Sequence, residues 1–463
     1  MDTNPGEQPQ FRWSSRLSFV LAASGFAVGL GNIWRFPYLT GENGGAAFLV
    51  VYLLCAFGIG MPLIMAELML GRHGKRGIVG SLRAVAGQSR ASRKWSWIGV
   101  LALLATFLIL SYYVVIAGWT LDYALKASEG AFSEVEPVQS TALFGELMES
   151  PWRMLGWTLA TVALTGLVVA RGLKGGIEKV TSFIMPLFFV GLILLAIYAL
   201  FFGDMGSAID FLFVPDFSKI DGTVVAMAVG QAFFSVGVGF GTMVSFGSYL
   251  DDDVSIASTA GIIVAADTAV ALIAGLIIFP FVFRYGLEVT SGPGLVFETL
   301  PVAIGAMPAG QLVGVVFFLL LFIAAITSCV GLLEPLAARV RHWFDVRLST
   351  ATVIMSVLVA LVSVGSVLSF NRWAEFHPLE TFGVLPGRTI YVVQDYVAAN
   401  IFLPLVARDA LRRAAGDCID HGHFHARLKT AAPESRTVTR AARCVRASMN
   451  PAGFNSKTSP GYD

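Results

Sequence analysis

The amino-acid sequence predicts an all-α membrane protein, and three observations predict it. Long apolar runs recur along most of the chain, the first and sixth of them are interrupted by glycines, and the loops between runs alternate in charge. Of the 463 residues, 56% are hydrophobic and 14% charged, with a mean hydropathy of +0.72. A soluble domain carries about 25% charged residues, so water is not the main solvent of this chain. A helix needs roughly 20 apolar residues to cross about 30 Å of hydrocarbon.

Apolar runs bounded by charge give spans near Leu17 to Tyr38, Phe48 to Leu70, Trp97 to Leu125, Leu155 to Val169 and Ile177 to Phe202. They continue near Val224 to Leu250, Ile256 to Phe283, Leu312 to Val340, Thr350 to Phe370 and Thr389 to Val406, ten in all. Cytoplasmic loops are enriched in Lys and Arg. Arg72, Lys75, Arg76, Arg83, Arg90, Arg93 and Lys94 follow the second span, Arg171, Lys174 and Lys179 the fourth, and Arg339, Arg341 and Arg347 the eighth. The alternate loops are acidic, with Glu129, Glu134, Glu136, Glu146 and Glu149, then Asp204, Asp210, Asp216 and Asp221. With ten spans both termini are therefore expected in the cytoplasm. Asp251, Asp252 and Asp253 fall on the inner side against this trend, but acidic residues weigh little in the rule.

The polar start, Met1 to Gln10, leads into a helix too long and too broken by glycine for a signal peptide, so no cleaved leader is expected. Cys55, Cys329, Cys418 and Cys444 have no C-x-x-C spacing, which argues against a disulfide or zinc framework. A net charge of +1 speaks against a nucleic-acid partner. The bilayer is the expected one. After Leu405 the apolar pattern stops and an Arg- and Ala-rich stretch begins, expected as a basic, disordered cytoplasmic tail over residues 406–463. A change of reading frame near Leu405 is the alternative, since the tenth span is cut short of the roughly 20 residues expected. His421, His423 and His425 have near-metal spacing there but lack a scaffold to fix ligand geometry.

Two spans are broken in corresponding places. Gly25, Gly29 and Gly31 crowd the first, followed by Asn32, and Gly237, Gly239 and Gly241 interrupt the sixth just after Ser235. Each glycine costs a helix roughly 1 kcal/mol relative to alanine. Close packing of small residues is one explanation. The other is an unwound site: paired discontinuous spans point to a transporter's central site, where free N–H groups face an anionic substrate and freed carbonyls suit a sodium ion. Such backbone is tolerated only where it lines a cavity within the protein.

The segments Gly29-Leu-Gly-Asn-Ile-Trp-Arg-Phe-Pro-Tyr38, Glu42-Asn-Gly-Gly-Ala46, Tyr112-Tyr113, Gly230-Gln-Ala-Phe-Phe234 and Gly292-Pro-Gly-Leu295 together resemble the neurotransmitter:sodium symporter family, including the bacterial leucine transporter. The resemblance covers residues 12 to 405 in one order and at compatible spacing. It implies a five-plus-five inverted-repeat transporter fold with unwound first and sixth spans. Repeat one would run over about 12–202 and repeat two over about 222–405 of a membrane domain, residues 1–405. It also implies sodium-coupled import of a small amino acid by alternating access, in a bacterial inner (plasma) membrane.

By the same resemblance, a first sodium ion would lie among the Ala27 carbonyl, Asn32, Ser235, Asp267 and the substrate carboxylate. A second would lie among the carbonyls of Gly25, Val28 and Ala324 and the hydroxyls of Thr327 and Ser328. Thr327 and Ser328 are also explained by back-bonding to the preceding turn. Asp267 departs from the asparagine common in bacterial members. An intramembrane carboxylate is costly unless paired, and a sodium ion would pair it. Ala271 stands where the family carries glutamate or serine, so Asp267 is expected to supply the fixed negative charge, with chloride not required. Proton exchange through Asp267 is the weaker alternative, since a carboxylate held by sodium loses its capacity to carry a proton.

The implied substrate seat comprises Ala27, Leu30 and Gly31, Ile109 and Tyr113, Phe234, Gly237 and Phe240, with Ser328 and Leu332. The substrate carboxylate would meet the Leu30 and Gly31 amides and the Tyr113 hydroxyl. The lining favours an apolar side chain, and Gly237, where the leucine transporter has serine, is expected to leave room for an aromatic one. No aspartate occurs in the first-span turn, which disfavours a monoamine. Arg35 and Asp395 match the outer gate, with Tyr113 and Phe240 closing below them. Trp13 and Arg16 match an inner anchor, whose usual acidic partner appears here as His342. Glu67 is expected to anchor the unwound part of the first span. A membrane enzyme would need a nucleophile, base or metal cluster, and the sequence has neither H-E-x-x-H nor a G-x-S-x-G placed before a helix. Paired broken helices with charges on both sides of one site suit an occluding carrier better than a channel. An incomplete, inactive relative lacking later spans is the remaining alternative.

Overall fold

The computed structural model describes residues 12–88, 92–287, 292–380, 387–403 and 405–406. Residues beyond 406, with the expected tail and its three histidines, lie outside them. The described residues are helical and contain no strand. In chain order the helices are α1 (Arg16–Ala27), α2 (Gly31–Glu42), α3 (Ala46–Gly74), α4 (Gly77–Gln88), α5 (Ser96–Ser128), α6 (Pro137–Glu149), α7 (Pro151–Ala170) and α8 (Leu173–Phe202). Then follow α9 (Met205–Phe213), α10 (Gly222–Val236), α11 (Thr242–Ser248), α12 (Ile256–Arg284), α13 (Leu295–Ala306), α14 (Gly310–Phe344), α15 (Leu348–Leu368) and α16 (Ile390–Tyr396), which runs on as a wider turn through Val397–Phe402.

Among the described residues, seven helices are long and apolar enough to cross a membrane: α3, α5, α7, α8, α12, α14 and α15. The pair α1 and α2, bent by 51°, makes eight when counted as one span. The sixth and tenth expected spans are present as shorter pieces. In the sixth the reason is visible in the backbone: Gly237, Gly239 and Gly241 take φ of +74°, +89° and +77°, a region that disfavours side chains, so α10 and α11 cannot join.

Local chemistry sets where several helices begin. The side chains of Ser15, Asp204, Asp221 and Ser255 accept from the backbone N–H three residues on, each opening a helix. At Asp204 the Ser207 hydroxyl and N–H hold the carboxyl below its ordinary range. Glu136 and Gln139 close a capping box on α6. The helices α4, α6, α9 and α13 lie in stretches expected as loops. They are short, and too polar or too isolated to read as spans.

Two central helices organise the rest. α5 packs along α14, and both also contact α7 and α15. α11 packs on α3 so closely that a Cβ on Gly71 would lie 2.1 Å from the Val244 carbonyl oxygen and one on Gly247 2.8 Å from that of Leu68. At one end of the bundle, Trp119 and Tyr123 of α5, Phe144 of α6, Phe297 of α13 and Phe318 of α14 form an aromatic cluster, with Phe144 and Phe297 stacked at 5.5 Å. At the amino-terminal end of α1, Arg12 pairs with Asp251 at 3.1 Å, and Lys75 pairs with Asp252 at 3.3 Å. Arg72 and Lys75 also donate to the carbonyls of Val254 and Leu250. The acidic loop that runs against the charge trend is thus matched by neighbouring cations.

Candidate functional site

Both helix breaks face α12 and α14, and each frees backbone that side chains from other helices take up. At the first, Asn32 opens α2 fully buried. Its Oδ1 accepts from the Gly29 N–H at 3.0 Å. Its Nδ2 reaches Ser235 Oγ at 3.0 Å, the Asp267 carbonyl at 2.9 Å and Asp267 Oδ1 at 2.6 Å. The other carboxylate oxygen, Oδ2, accepts from Ser235 Oγ at 2.8 Å and from the Tyr52 hydroxyl at 3.4 Å. Asp267 is 0% exposed, and no cationic side chain lies within ion-pair distance of it among the described residues. Three of the four residues expected around a first ion are therefore brought together: Ser235 and Asp267 present oxygen, while Asn32 turns its amide nitrogen to them and its Oδ1 to the Gly29 N–H. Ala27 ends α1 and is buried.

The second group is brought together as well. Ser328 Oγ lies 3.0 Å from the Phe26 carbonyl, 3.4 Å from that of Val28 and 3.2 Å from that of Ala324. A Cβ on Gly25 would lie 3.5 Å from Thr327 Cβ. Thr327 Oγ1 back-bonds to the carbonyls of Ile323 and Ala324, each at 3.0 Å. Back-bonding thus accounts for Thr327, whereas Ser328 also crosses to the frayed end of α1.

Several residues expected to line the seat lie close to these two groups. The Leu30 N–H donates to the Tyr113 hydroxyl at 3.0 Å. Gly29 leaves the space this requires: a Cβ there would lie 2.6 Å from Ser328 Oγ and 2.7 Å from the Tyr113 hydroxyl. Gly31 faces the Phe234 ring, and its carbonyl accepts from Gln231 Nε2 at 2.8 Å. Phe234 stands edge-on to Phe240 at 6.4 Å. Ile109, Phe240 and Leu332 are buried. Gly237, expected to open room, is instead covered by Phe26, whose Cε1 would lie 2.6 Å from a Cβ at that position. The room exists, and this chain's own phenyl ring fills it.

Gates and anchors differ from expectation in their partners. Arg35 and Asp395 form no direct ion pair. The Arg35 guanidinium lies over the Phe234 ring at 4.7 Å, while Asp395 accepts from the Tyr112 hydroxyl at 2.9 Å. Trp13 Nε1 donates to the Phe246 carbonyl at 3.1 Å, and Arg16 to Ser258 Oγ at 2.7 Å, so the amino-terminal segment docks on α11 and α12. Glu67 anchors the sixth span rather than the first: its Oε1 accepts from the Gly239 N–H at 2.7 Å. The Phe240 carbonyl beside it is held by Thr106 Oγ1 at 2.7 Å. Tyr52, Gln231, Thr106 and Phe26 were not legible as site residues. Isolated polar groups in otherwise apolar spans are the one signal that marks the first three.

A helical membrane carrier, with two interrupted helices meeting at a buried oxygen-rich centre, is the class that fold and site define. The description of the Sodium:neurotransmitter symporter family matches residues 10–135 and 132–374. An uncharacterized sodium-dependent transporter of Bacillus subtilis is 34% identical over 398 residues, covering 86% of each chain. Another, of Haemophilus influenzae, is 32% identical over 405 residues, covering 85% of this chain and 86% of its own. The crystal structure of MhsT in complex with L-phenylalanine superposes with a TM-score of 0.82 at 37% identity, over 94% of this chain and 99% of that one. The chain belongs to the sodium:neurotransmitter symporter family. It is an integral membrane transporter, as its relatives are, and not an enzyme.

Proposed function

We propose that this protein is a sodium-coupled symporter that imports a small apolar or aromatic amino acid by alternating access. The observation that carries this reading is Asp267, a fully buried carboxylate with no cationic partner among the described residues, surrounded by Asn32, Ser235 and Tyr52 at the meeting of two broken helices. A buried charge is costly unless paired. Oxygen atoms from carboxylate, hydroxyl and frayed backbone suit a hard cation such as sodium.

The first sodium would take the oxygens of Ala27, Asn32, Ser235 and Asp267. A second would take the carbonyls of Gly25, Val28 and Ala324 with the hydroxyls of Thr327 and Ser328. The substrate carboxylate would displace the Tyr113 hydroxyl from the Leu30 N–H and settle at the amino end of α2, where free N–H groups carry partial positive charge. Its side chain would point toward Ile109, Phe234, Phe240 and Leu332. The phenylalanine complex of MhsT supports an apolar or aromatic substrate. Asp267 supplies a fixed negative charge beside the first ion, which supports independence from chloride. Arg35 and Asp395 would close above the seat on the outside, while Trp13 and Arg16 hold the inner face shut. Residues 1–405 would form the membrane domain as two inverted repeats, with both termini cytoplasmic in a bacterial inner membrane.

Uptake of radiolabelled phenylalanine, leucine and tryptophan into proteoliposomes, with an inward sodium gradient or with potassium in its place, tests this reading. Sodium-stimulated uptake that persists without chloride is the expected result. Equal uptake in the two cations for every amino acid would overturn it.

A further inference from the structure

The ring of Phe26 occupies a slot cut by two glycines on two different elements. A Cβ on Gly237 would lie 2.6 Å from Phe26 Cε1, and a Cβ on Gly331 would lie 2.4 Å from Phe26 Cδ2. Neither wall is free to retreat. Gly237 has φ +74° and ends α10, and the Gly331 carbonyl is held by Thr242 Oγ1 at 2.9 Å. The ring is 5% exposed and stands edge-on to Phe240 at 6.0 Å, and Phe240 in turn is edge-on to Phe234. The Phe26 carbonyl accepts from Ser328 Oγ, so its backbone is tied to α14 as well.

We propose that Phe26 sets the size of the side-chain end of the substrate seat. It admits branched aliphatic and single-ring side chains and excludes the two-ring indole. This rests on the amino-acid symport reading above. A side chain entering between Phe234 and Phe240 meets the edge of a third ring that two backbones hold in place. Close-packed interiors transmit such a limit because a ring cannot be compressed and its neighbours cannot give. Removing the ring turns its volume into pocket, lined by aromatic faces that suit an indole. Adding a methyl behind it, at Gly331, pushes the ring toward the seat and shrinks the pocket.

The test is competition. Full-length protein in proteoliposomes takes up tritiated phenylalanine under a sodium gradient, against unlabelled valine, leucine and tryptophan. In the unsubstituted chain tryptophan is expected to compete about tenfold or more weakly than leucine, the discrimination an apolar pocket reaches for a group that does not fit. Phe26→Ala is expected to raise tryptophan relative to leucine by about tenfold while keeping sodium stimulation. Gly331→Ala is expected to shift preference toward valine. If Phe26→Ala does not yield folded protein, Phe26→Leu gives a smaller shift in the same direction. An unchanged tryptophan-to-leucine ratio in Phe26→Ala or Phe26→Leu, or tryptophan matching leucine in the unsubstituted chain, overturns the proposal while leaving symport intact. Absence of sodium-stimulated uptake by the unsubstituted chain overturns the symport reading and the size limit with it.

Discussion

At Asp267 a single carboxylate holds the two broken helices together through Asn32 and Ser235. Replacing it with asparagine keeps the shape and removes the charge. Asp267→Asn is therefore expected to weaken sodium activation of uptake about tenfold or more and to create a response to chloride. A series of sodium titrations, with chloride or gluconate as the anion, measures both. Gly29 is the second decisive residue. Its missing side chain is what lets Ser328 and Tyr113 approach the first break. Gly29→Ala puts a methyl within 2.6 Å of Ser328 Oγ and 2.7 Å of the Tyr113 hydroxyl. Substrate binding in sodium, followed by scintillation proximity, is expected to fall below detection while the protein still runs as a folded monodisperse peak.

On the scale of elements, the break between α10 and α11 is maintained by groups from other helices. Glu67 satisfies the Gly239 N–H and Thr106 the Phe240 carbonyl, so the irregular backbone leaves few groups orphaned in a low-dielectric interior. Glu67→Ala leaves that N–H without its acceptor, at a cost of about 1–3 kcal/mol. Glu67→Gln keeps an acceptor oxygen in place. Thermal unfolding in detergent is expected to show a drop of several degrees for the alanine variant and little change for glutamine. The aromatic cluster around Phe297 works differently, by packing alone. Phe297 stacks on Phe144 and is 0% exposed, so Phe297→Ala is expected to cost about 3–5 kcal/mol and to loosen α13. Faster proteolysis at the outer face, with the inner face unchanged, is the readout.

For the whole molecule, loop charge and packing address the same question of sidedness. The loops carrying Arg171, Lys174 and Lys179 and those carrying Glu129 and Glu134 are expected on opposite faces. With the four native cysteines replaced, a cysteine at Lys174 is expected to resist a membrane-impermeant maleimide in intact cells, and one at Glu134 to react. Labelling of both would refute the orientation. Most of this architecture was open to reading before any coordinates. Apolar runs declare themselves because a span must be apolar along its whole length, and Asn32, Ser235, Asp267 and Ser328 stood out because a bilayer penalises polar groups that have no task. The count of spans was less legible, since a broken helix satisfies neither half's length requirement, as α10 and α11 show.

Composition, spacing and charge by themselves determined that this chain is a helical membrane protein and that its first and sixth spans are interrupted beside Asn32 and Ser235, while the gathering of Asp267, Thr327 and Ser328 at the breaks was implied by the family resemblance. The first two are local properties, carried by residue type and distance along the chain. Only the tertiary structure decided which partner each group takes. It gave Glu67 to Gly239 rather than to the first span, gave Arg35 and Asp395 different partners, and filled the room beside Gly237 with Phe26. Such pairings join residues far apart in sequence, and they are settled by steric fit and by the need of every buried polar group for a partner.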